Sequence, residues 1–516
     1  MAQSQITVLN PNGINKDMSP YESPKDKWSD GNNIEFDNNK TAKVLGNQQV
    51  FGTPTVAPYW LLPFNTTTTD YWIYPSLTKI YRVSTSGTTT THADVTRSSG
   101  GDYSATAAKG WNGGVLGGVA ILNNGVDDPQ MLGTSSSAFA DLTNWPSNTS
   151  CQVIRPFKRF LVALDTTESS TRYPFRVKWS HPAEGGTVPT TWNPADGTKD
   201  AGYVDLSQTN GNVIDCLPLG DVNIIYKEDS IWSMAFEGGQ SIFGFRQLFD
   251  DVGILGRHCA KSFDNKHFVV AEDDIYIHDG QTKESIVDTQ IRDELFNSMH
   301  PDYKTRTFVA ADREKNEMWV CFVSNTNSTN AFADTAYVYN FRNNSWSKRD
   351  LPYVSYISWG IVDTVSTSDW SESGDWDTDS ESWDSPLKPS LLLAATSATK
   401  LYVLGSNQNA GTNFRAFVEK DNMHLGTSNT KSVMKIVPRL SGTGAVDFYV
   451  GTEMRAHEGT TWKGPYAFTP GTHSEIPVRA TGNYIGIRAE STDDKTWAID
   501  NVEIHWKPTG GRGVGV

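Results

Sequence analysis

Almost nothing in this chain can form a helix, and that limits its fold more than any other feature. Apolar residues at four-residue spacing occur between Asp288 and Met299, where Ile291, Leu295 and Met299 follow a possible capping Asp288. Elsewhere β-branched and aromatic residues come in short runs, separated by clusters of Gly, Asn, Asp, Ser and Thr. These runs predict strands over Tyr71–Tyr74, Val115–Leu122, Arg159–Leu164, Arg176–Ser180, Val222–Tyr226, Ser230–Ala235, His267–Ala271 and Ile275–His278. They continue with Arg306–Ala310, Glu317–Val323, Ala336–Phe341, Ser390–Ala395 and Lys400–Leu404. Turns at Asp279-Gly280, Lys315-Asn316 and Asn343-Asn344 join neighbours into hairpins. The units recur every ~45–60 residues, the spacing of propeller blades. The chain is therefore read as all-β: a β-propeller over residues 51–428, with about six blades favoured and seven as the other count. Side-by-side sandwiches are the structural alternative.

The two ends differ from this body. Residues 1–50 are polar and turn-rich, with scattered apolar anchors Ile6, Leu9, Ile14, Met18, Tyr21 and Trp28. They predict an extended N-terminal arm lying across another surface. From Ser432 the strands lengthen and alternate: Met434–Leu440, Ala445–Val450, Glu475–Arg479, Tyr484–Ala489 and Trp497–Trp506. Residues 429–507 are read as a C-terminal antiparallel β domain resembling a sandwich, and 508–516 as a flexible Gly-rich tail.

Charge narrows the function. The chain of 516 residues has 44 Lys and Arg against 59 Asp and Glu, a net charge of −15. A surface that grips phosphates needs the opposite surplus, so tight nucleic-acid binding by the bulk surface is excluded. Mean hydropathy is −0.46, yet Trp 17, Tyr 19 and Phe 22 are plentiful, which suits aromatic plugs on short strands. No run approaches the roughly 18 consecutive apolar residues of a membrane helix, and direct membrane insertion is not expected. The opening Met1-Ala2-Gln3-Ser4-Gln5 lacks the character of a signal peptide, which predicts synthesis in the cytoplasm. Cys151, Cys216, Cys259 and Cys321 are far apart, mostly in strand-like contexts, and read as reduced core thiols.

Few motifs carry chemistry. Residues 366–385 form an acidic insertion, with Trp370, Trp376 and Trp383 among Asp369, Glu372, Asp375, Asp377, Asp379, Glu381 and Asp384. Asp375, Asp377, Asp379 and Glu381 alternate as early calcium-loop ligands do, but the sixth and twelfth places hold Ser380 and Pro386. A solvated acidic loop anchored by its tryptophans is the reading, with subunit contact as the next. Trp28, Trp370, Trp376 and Trp383 are the candidate subunit-contact residues. Adjacent His258 and Cys259 would face opposite sides of a strand, so they are read as structural. No phosphate-loop, nucleophile-elbow or zincin motif occurs, and no sialidase-type box recurs. No cofactor, metal or catalytic residue is expected, and the chain is read as not an enzyme.

In order along the chain, several segments resemble a known family. In Gly13–Lys43, Trp28, Asp30, Gly31, Asn33 and Phe36 hold the places of a "Trp-x-Asp-Gly-x-Asn-hydrophobic-x-Phe" segment. Arg176–Ser180, Thr191-Trp192-Asn193-Pro194, Leu219–Met234, Asp251-Val252-Gly253 and Ile275–Gly280 follow. Then come Asp312–Val320, Val338–Pro352, the Trp-Asp segment and the Gly-Arg-rich end. Together they resemble the tail nozzle, or tail-hub (packaged-DNA stabilisation), proteins of short-tailed, podovirus-type bacteriophages. That resemblance implies a structural virion protein in the tail, made in the host cytoplasm. It implies a propeller core in a homohexameric ring that docks under the portal and adaptor proteins beside the tail fibres. The ring would conduct or retain viral DNA during ejection, in transit and without tight binding, and an acidic lumen would suit that role. A receptor- or glycan-binding tail protein and a propeller glycosidase are the alternatives.

Overall fold

The structure, a computed structural model, describes residues 4–66, 69–86, 89–239, 241–362 and 389–509. It is all-β, built from many small antiparallel sheets in a propeller-like arrangement. Seven sheets have four strands each, and six of them follow one another along the chain. They start at the strands Leu62–Asn65, Asn112–Leu116, Thr149–Phe157, Val213–Leu219, Ala260–Phe263 and Phe308–Asp312. The seventh takes Tyr356–Ile361, Pro389–Ala395 and Lys400–Ser406 and is completed from the other end of the sequence by Gly46–Val50. There Val50 pairs with Leu401 and Gln48 with Val403. The six blades favoured by unit spacing are therefore not supported by the sheet count.

The hairpin turns form where the sequence places them. Asn316 and Asn344 have positive φ (59° and 52°), which Asn tolerates because its short side chain bonds locally. Asp279 Oδ1 accepts the backbone N–H groups of Gln281 and Thr282 at 2.9 and 2.7 Å, closing its turn. The expected strand Val115–Leu122 is instead a hairpin. Gly117 and Gly118, at φ 55° and 92°, turn the chain between Asn112–Leu116 and Val119–Asn123. The expected helix is shorter than its periodicity, Arg292–Ser298, with Ile291, Leu295 and Met299 buried. Asp288 does not cap it and pairs with Arg292 at 3.2 Å. The Asp17 carboxylate accepts from the N–H groups of Asp293 and Glu294 at 3.2 and 3.3 Å.

That distant contact reflects the largest departure from expectation. Residues 4–50 are not a separate extended arm; they supply strands to the sheets of this chain. Ile34–Asp37, Lys40–Lys43 and Gln5–Leu9 join a six-stranded sheet with Trp497–Thr509, Thr430–Gly442 and Ile476–Gly482. Asp30–Asn32 edges a five-stranded sheet with Ala416–Met423, Tyr484–Ser491, Val446–Glu453 and Thr461–Phe468. The two sheets share one core that includes Leu9, Ile14, Phe448, Ile487 and Trp506. This unit thus starts before residue 429 and draws strands from both ends of the chain. Its last strand runs to Thr509, so Pro508 and Thr509, expected in a flexible tail, pair with Lys431 and Thr430. Residues 510–516 lie outside the described residues.

The same N-terminal segment ties this unit to the sixth four-stranded sheet. Ile14 N–H donates to Trp346 O at 2.9 Å, and Asn33 N–H to Lys348 O at 2.8 Å. Asn33 also donates through Nδ2 to Asp350 Oδ2 at 2.7 Å and accepts from Asp350 N–H at 2.9 Å. Glu35 pairs with Lys315 at 2.5 Å, and buried Arg349 donates to Leu45 O at 2.9 Å while lying over the Trp319 ring.

Candidate functional site

First strands of successive four-stranded sheets adjoin one another, from Asn112–Leu116 through to Leu62–Asn65, and form the axial side of those sheets. Arg155 comes from the third sheet and Asp215 from the fourth. Each is the single charged residue of its strand, Thr149–Phe157 and Val213–Leu219. Arg155 donates through Nε and Nη2 to the two carboxylate oxygens of Asp215, both at 2.8 Å, and through Nη1 to Gly113 O at 3.1 Å. Glycine at 113 is required by its own hairpin: its φ is 145°, and a Cβ there would lie 2.0 Å from Ile121 O on the paired strand. Asp215 also accepts from the N–H groups of Cys216 at 2.9 Å and His258 at 3.0 Å. Burial alone would raise its pKa. The Arg155 charge and hydrogen bonds, with those of His258, outweigh that and hold the carboxyl well below the usual range.

His258 sits just before the fifth sheet at φ 65°. Its Nδ1 accepts from Arg155 Nη2, so Nε2 carries the proton and donates to Trp111 O, both at 3.2 Å. Burial, then the Arg155 charge, push its pKa well below the ordinary histidine value, so the ring is neutral. Tyr356 of the seventh sheet meets His258 edge-on at 4.9 Å and accepts from Lys261 Nζ at 3.3 Å. Trp60 packs on the same Tyr356 ring at 5.8 Å. These groups enclose a cavity of about 290 Å³ on the Arg155–Asp215–Lys261 side and a smaller one of about 80 Å³ toward Lys109, Arg257 and Arg306. Asp215 is the single carboxylate among the residues lining these two spaces.

Other titratable groups form chains of hydrogen bonds. Gly280 N–H donates to His278 Nδ1, so His278 Nε2–H donates to Tyr226 Oη. The Tyr226 hydroxyl then donates to His267 Nδ1, and His267 Nε2–H to Pro218 O. Burial lowers His267 to about 4 and His278 to about 3, so the chain is uncharged at neutral pH. Tyr74, His92 and Phe51 O repeat the motif in the first sheet.

Trp28, expected at a subunit contact, is 0% exposed and donates through Nε1 to Thr41 Oγ1 at 2.9 Å inside the core of the two-sheet unit. Residues 363–388 lie outside the described residues, and with them Trp370, Trp376 and Trp383 and the acidic set Asp369, Glu372, Asp375, Asp377, Asp379, Glu381 and Asp384. The four cysteines are buried and unpaired. Among the described residues no group of three or more His, Cys, Asp and Glu is placed to hold a metal ion, and no helix is long and apolar enough to cross a membrane. Sequence reasoning missed the axial set Arg155, Asp215, Arg257, Lys261 and Tyr356. The available signal was a lone charge inside each of two strands, Thr149–Phe157 and Val213–Leu219.

No family profile matches the chain, and no curated protein matches it. Among solved structures it is similar to PorZ, an essential bacterial surface component of the type-IX secretion system of Porphyromonas gingivalis. Identity is 9% and the TM-score 0.37, covering 73% of this chain and 43% of that one. A likeness at this level carries no argument about what this chain does. The tail-nozzle function expected from the sequence finds no support in these comparisons and is corrected; neither it nor its receptor-binding and glycosidase alternatives is carried further. Residues 4–50, expected as an extended arm across another surface, supply strands to the sheets of their own chain.

Proposed function

We propose that the chain is a non-enzymatic assembly scaffold. Its seven four-stranded sheets act as the blades of one ring, closed by Gly46–Val50, and its two-sheet unit is a sandwich locked to that ring by residues 4–45. The observation that carries this reading is what the buried reactive groups do. Asp215 is occupied by two Arg155 donors and two backbone N–H groups. His258, His267, His278 and His92 each hold one strand or loop to another through both ring nitrogens. Burial pushes the thiols upward, Cys216 to about 12. Groups held this way fix strand positions and are poorly suited to moving protons or attacking a substrate.

Self-association is the second half of the proposal, and the strand Gln5–Leu9 supports it. It is an edge strand, pairing with Trp497–Thr509 alone among the described residues, and it turns Ile6 (58% exposed) and Val8 (55%) outward. Such an edge invites pairing with another strand unless it is covered. Mass photometry of the full chain tests this. A concentration-dependent oligomer that Ile6→Lys with Val8→Lys abolishes, without a lower melting temperature, is the expected result. A monomer at every concentration would remove self-association from the reading. Catalysed turnover that disappears in Asp215→Asn would overturn the scaffold reading itself.

A further inference from the structure

The smaller axial cavity has a composition the scaffold does not require. Lys109, Arg257 and Arg306 line it, and no Asp or Glu does, in a chain that carries 59 acidic residues. None of the three cations has a carboxylate within ion-pair distance among the described residues. Each donates to a backbone carbonyl instead: Lys109 to Gly125 O at 2.8 Å, Arg257 to Gln152 O at 3.2 Å, and Arg306 to Ala331 O at 3.3 Å. Most of their hydrogen-bonding capacity is left over, since a guanidinium carries five donors and an ammonium three. Burial disfavours the Arg257 charge and lowers its pKa, a cost that a bound anion would reverse.

A second observation points the same way. Trp60 walls this cavity at 4% exposure, and its indole Nε1–H finds no acceptor among the described residues. Buried donors are almost always paired, so an orphan beside unneutralised cations marks a place where an acceptor belongs. His258 cannot act as that acceptor's counter-charge, because its ring is neutral and both its nitrogens are engaged. The cavity, about 80 Å³, exceeds the roughly 15 Å³ that one water requires and falls short of the roughly 300 Å³ of a drug-sized pocket. It suits a compact group.

We propose that this cavity is an oxyanion site, built by Lys109, Arg257 and Arg306 with the Trp60 Nε1–H, for inorganic phosphate or the phosphate end of a small phosphomonoester. Three positive charges with no internal carboxylate favour a dianion over a monocarboxylate, and planar guanidinium groups match phosphate oxygens two at a time. The site is independent of the scaffold reading, because a scaffold needs no anion and an anion site implies no turnover.

Isothermal titration of the full chain with inorganic phosphate at low ionic strength is the test, with sodium acetate and sodium chloride as the other arms. One phosphate per chain is expected, with a dissociation constant of about 1 mM or tighter. Arg306→Gln and Lys109→Gln should each weaken it about tenfold, the loss of roughly one charge-assisted contact. Arg439→Gln, which alters a surface cation outside the cavity, should leave it unchanged. Binding should also quench or shift tryptophan fluorescence in the parent chain and not in Trp60→Phe. Acetate binding as tightly as phosphate would overturn the dianion assignment. Equal heats from phosphate and chloride, or phosphate binding untouched by both cavity substitutions in folded protein, would overturn the site.

Discussion

Removing the Asp215 carboxylate should unfasten the axis of the molecule. In Asp215→Ala the Arg155 guanidinium, whose side chain is only 14% exposed, keeps its charge and loses both oxygens it held at 2.8 Å. Breaking one partner of a buried pair costs about 3–5 kcal/mol, because the remaining charge stays desolvated. The Cys216 and His258 N–H groups lose their acceptor as well, adding about 1 kcal/mol each where water does not replace it. A loss of about 5–7 kcal/mol is therefore expected where water replaces neither, and about 3–5 kcal/mol where it replaces both. Urea unfolding followed by tryptophan fluorescence measures it, since Trp60 and Trp111 lie against the same His258. The double variant Arg155→Met with Asp215→Leu removes both charges and should lose markedly less than Asp215→Ala alone. In the parent chain the stabilisation from the depressed Asp215 pKa is present above about pH 4 and declines as pH falls below that. A loss under about 1 kcal/mol for Asp215→Ala, or a double variant that merely adds the single losses, would refute the idea that this pair cross-links the sheets.

Three further outcomes follow from the joints between elements. Glu317 is pushed up to about 7, first by burial and then by the Glu35 charge, while Trp319 Nε1 donates to it at 3.0 Å. Its folded pKa exceeds the unfolded value, so its own contribution to stability is greatest below about pH 4.5 and falls as pH rises toward 7. Glu317→Gln should flatten that slope and, at pH 8, melt later by the equivalent of about 2–3 kcal/mol, which a pH series of thermal melts checks. Lys420, lowered to about 8 by burial, clamps the N-terminal segment by donating to Ser23 Oγ and Pro24 O, both at 2.7 Å. Lys420→Met should cost about 1–3 kcal/mol and expose residues 20–27 to limited proteolysis before the rest of the chain. Trp28→Ala should cost about 3–5 kcal/mol by emptying the shared core, where a subunit-contact role would leave the monomer's melting temperature unchanged.

Much of the fold was legible because its signals are local. Alternating apolar runs and Asn or Asp-Gly turns need only a few adjacent residues, and the strands Val222–Lys227, Glu317–Phe322 and Lys400–Ser406 formed where such runs stand. What the sequence hid is non-local. Gly46–Val50 (GNQQV) reads as a polar linker, and its place as a sheet strand depends on Leu401 and Val403 far along the chain. The role of Trp28 was hidden likewise, because a tryptophan in a polar segment looks exposed until Thr41 and the C-terminal strands surround it. The Val115–Leu122 hairpin was misread because its apolar run is continuous and only Gly117-Gly118 breaks it. The axial site escaped notice because Arg155, Asp215, Arg257 and Tyr356 come from four separate segments, and nothing in their spacing records that they meet.

Hydrogen exchange on Gly46–Val50, the strand proposed to close the ring, tests the central claim most directly. Mass spectrometry of the full chain can resolve a peptide spanning Gly46–Val50 from its neighbours. If this strand completes the seventh sheet, its amides should exchange as slowly as those of its partner Lys400–Ser406, and both should open together as denaturant is added. Exchange of Gly46–Val50 within the dead time, while Lys400–Ser406 stays protected, would show that the N-terminal segment does not close the ring.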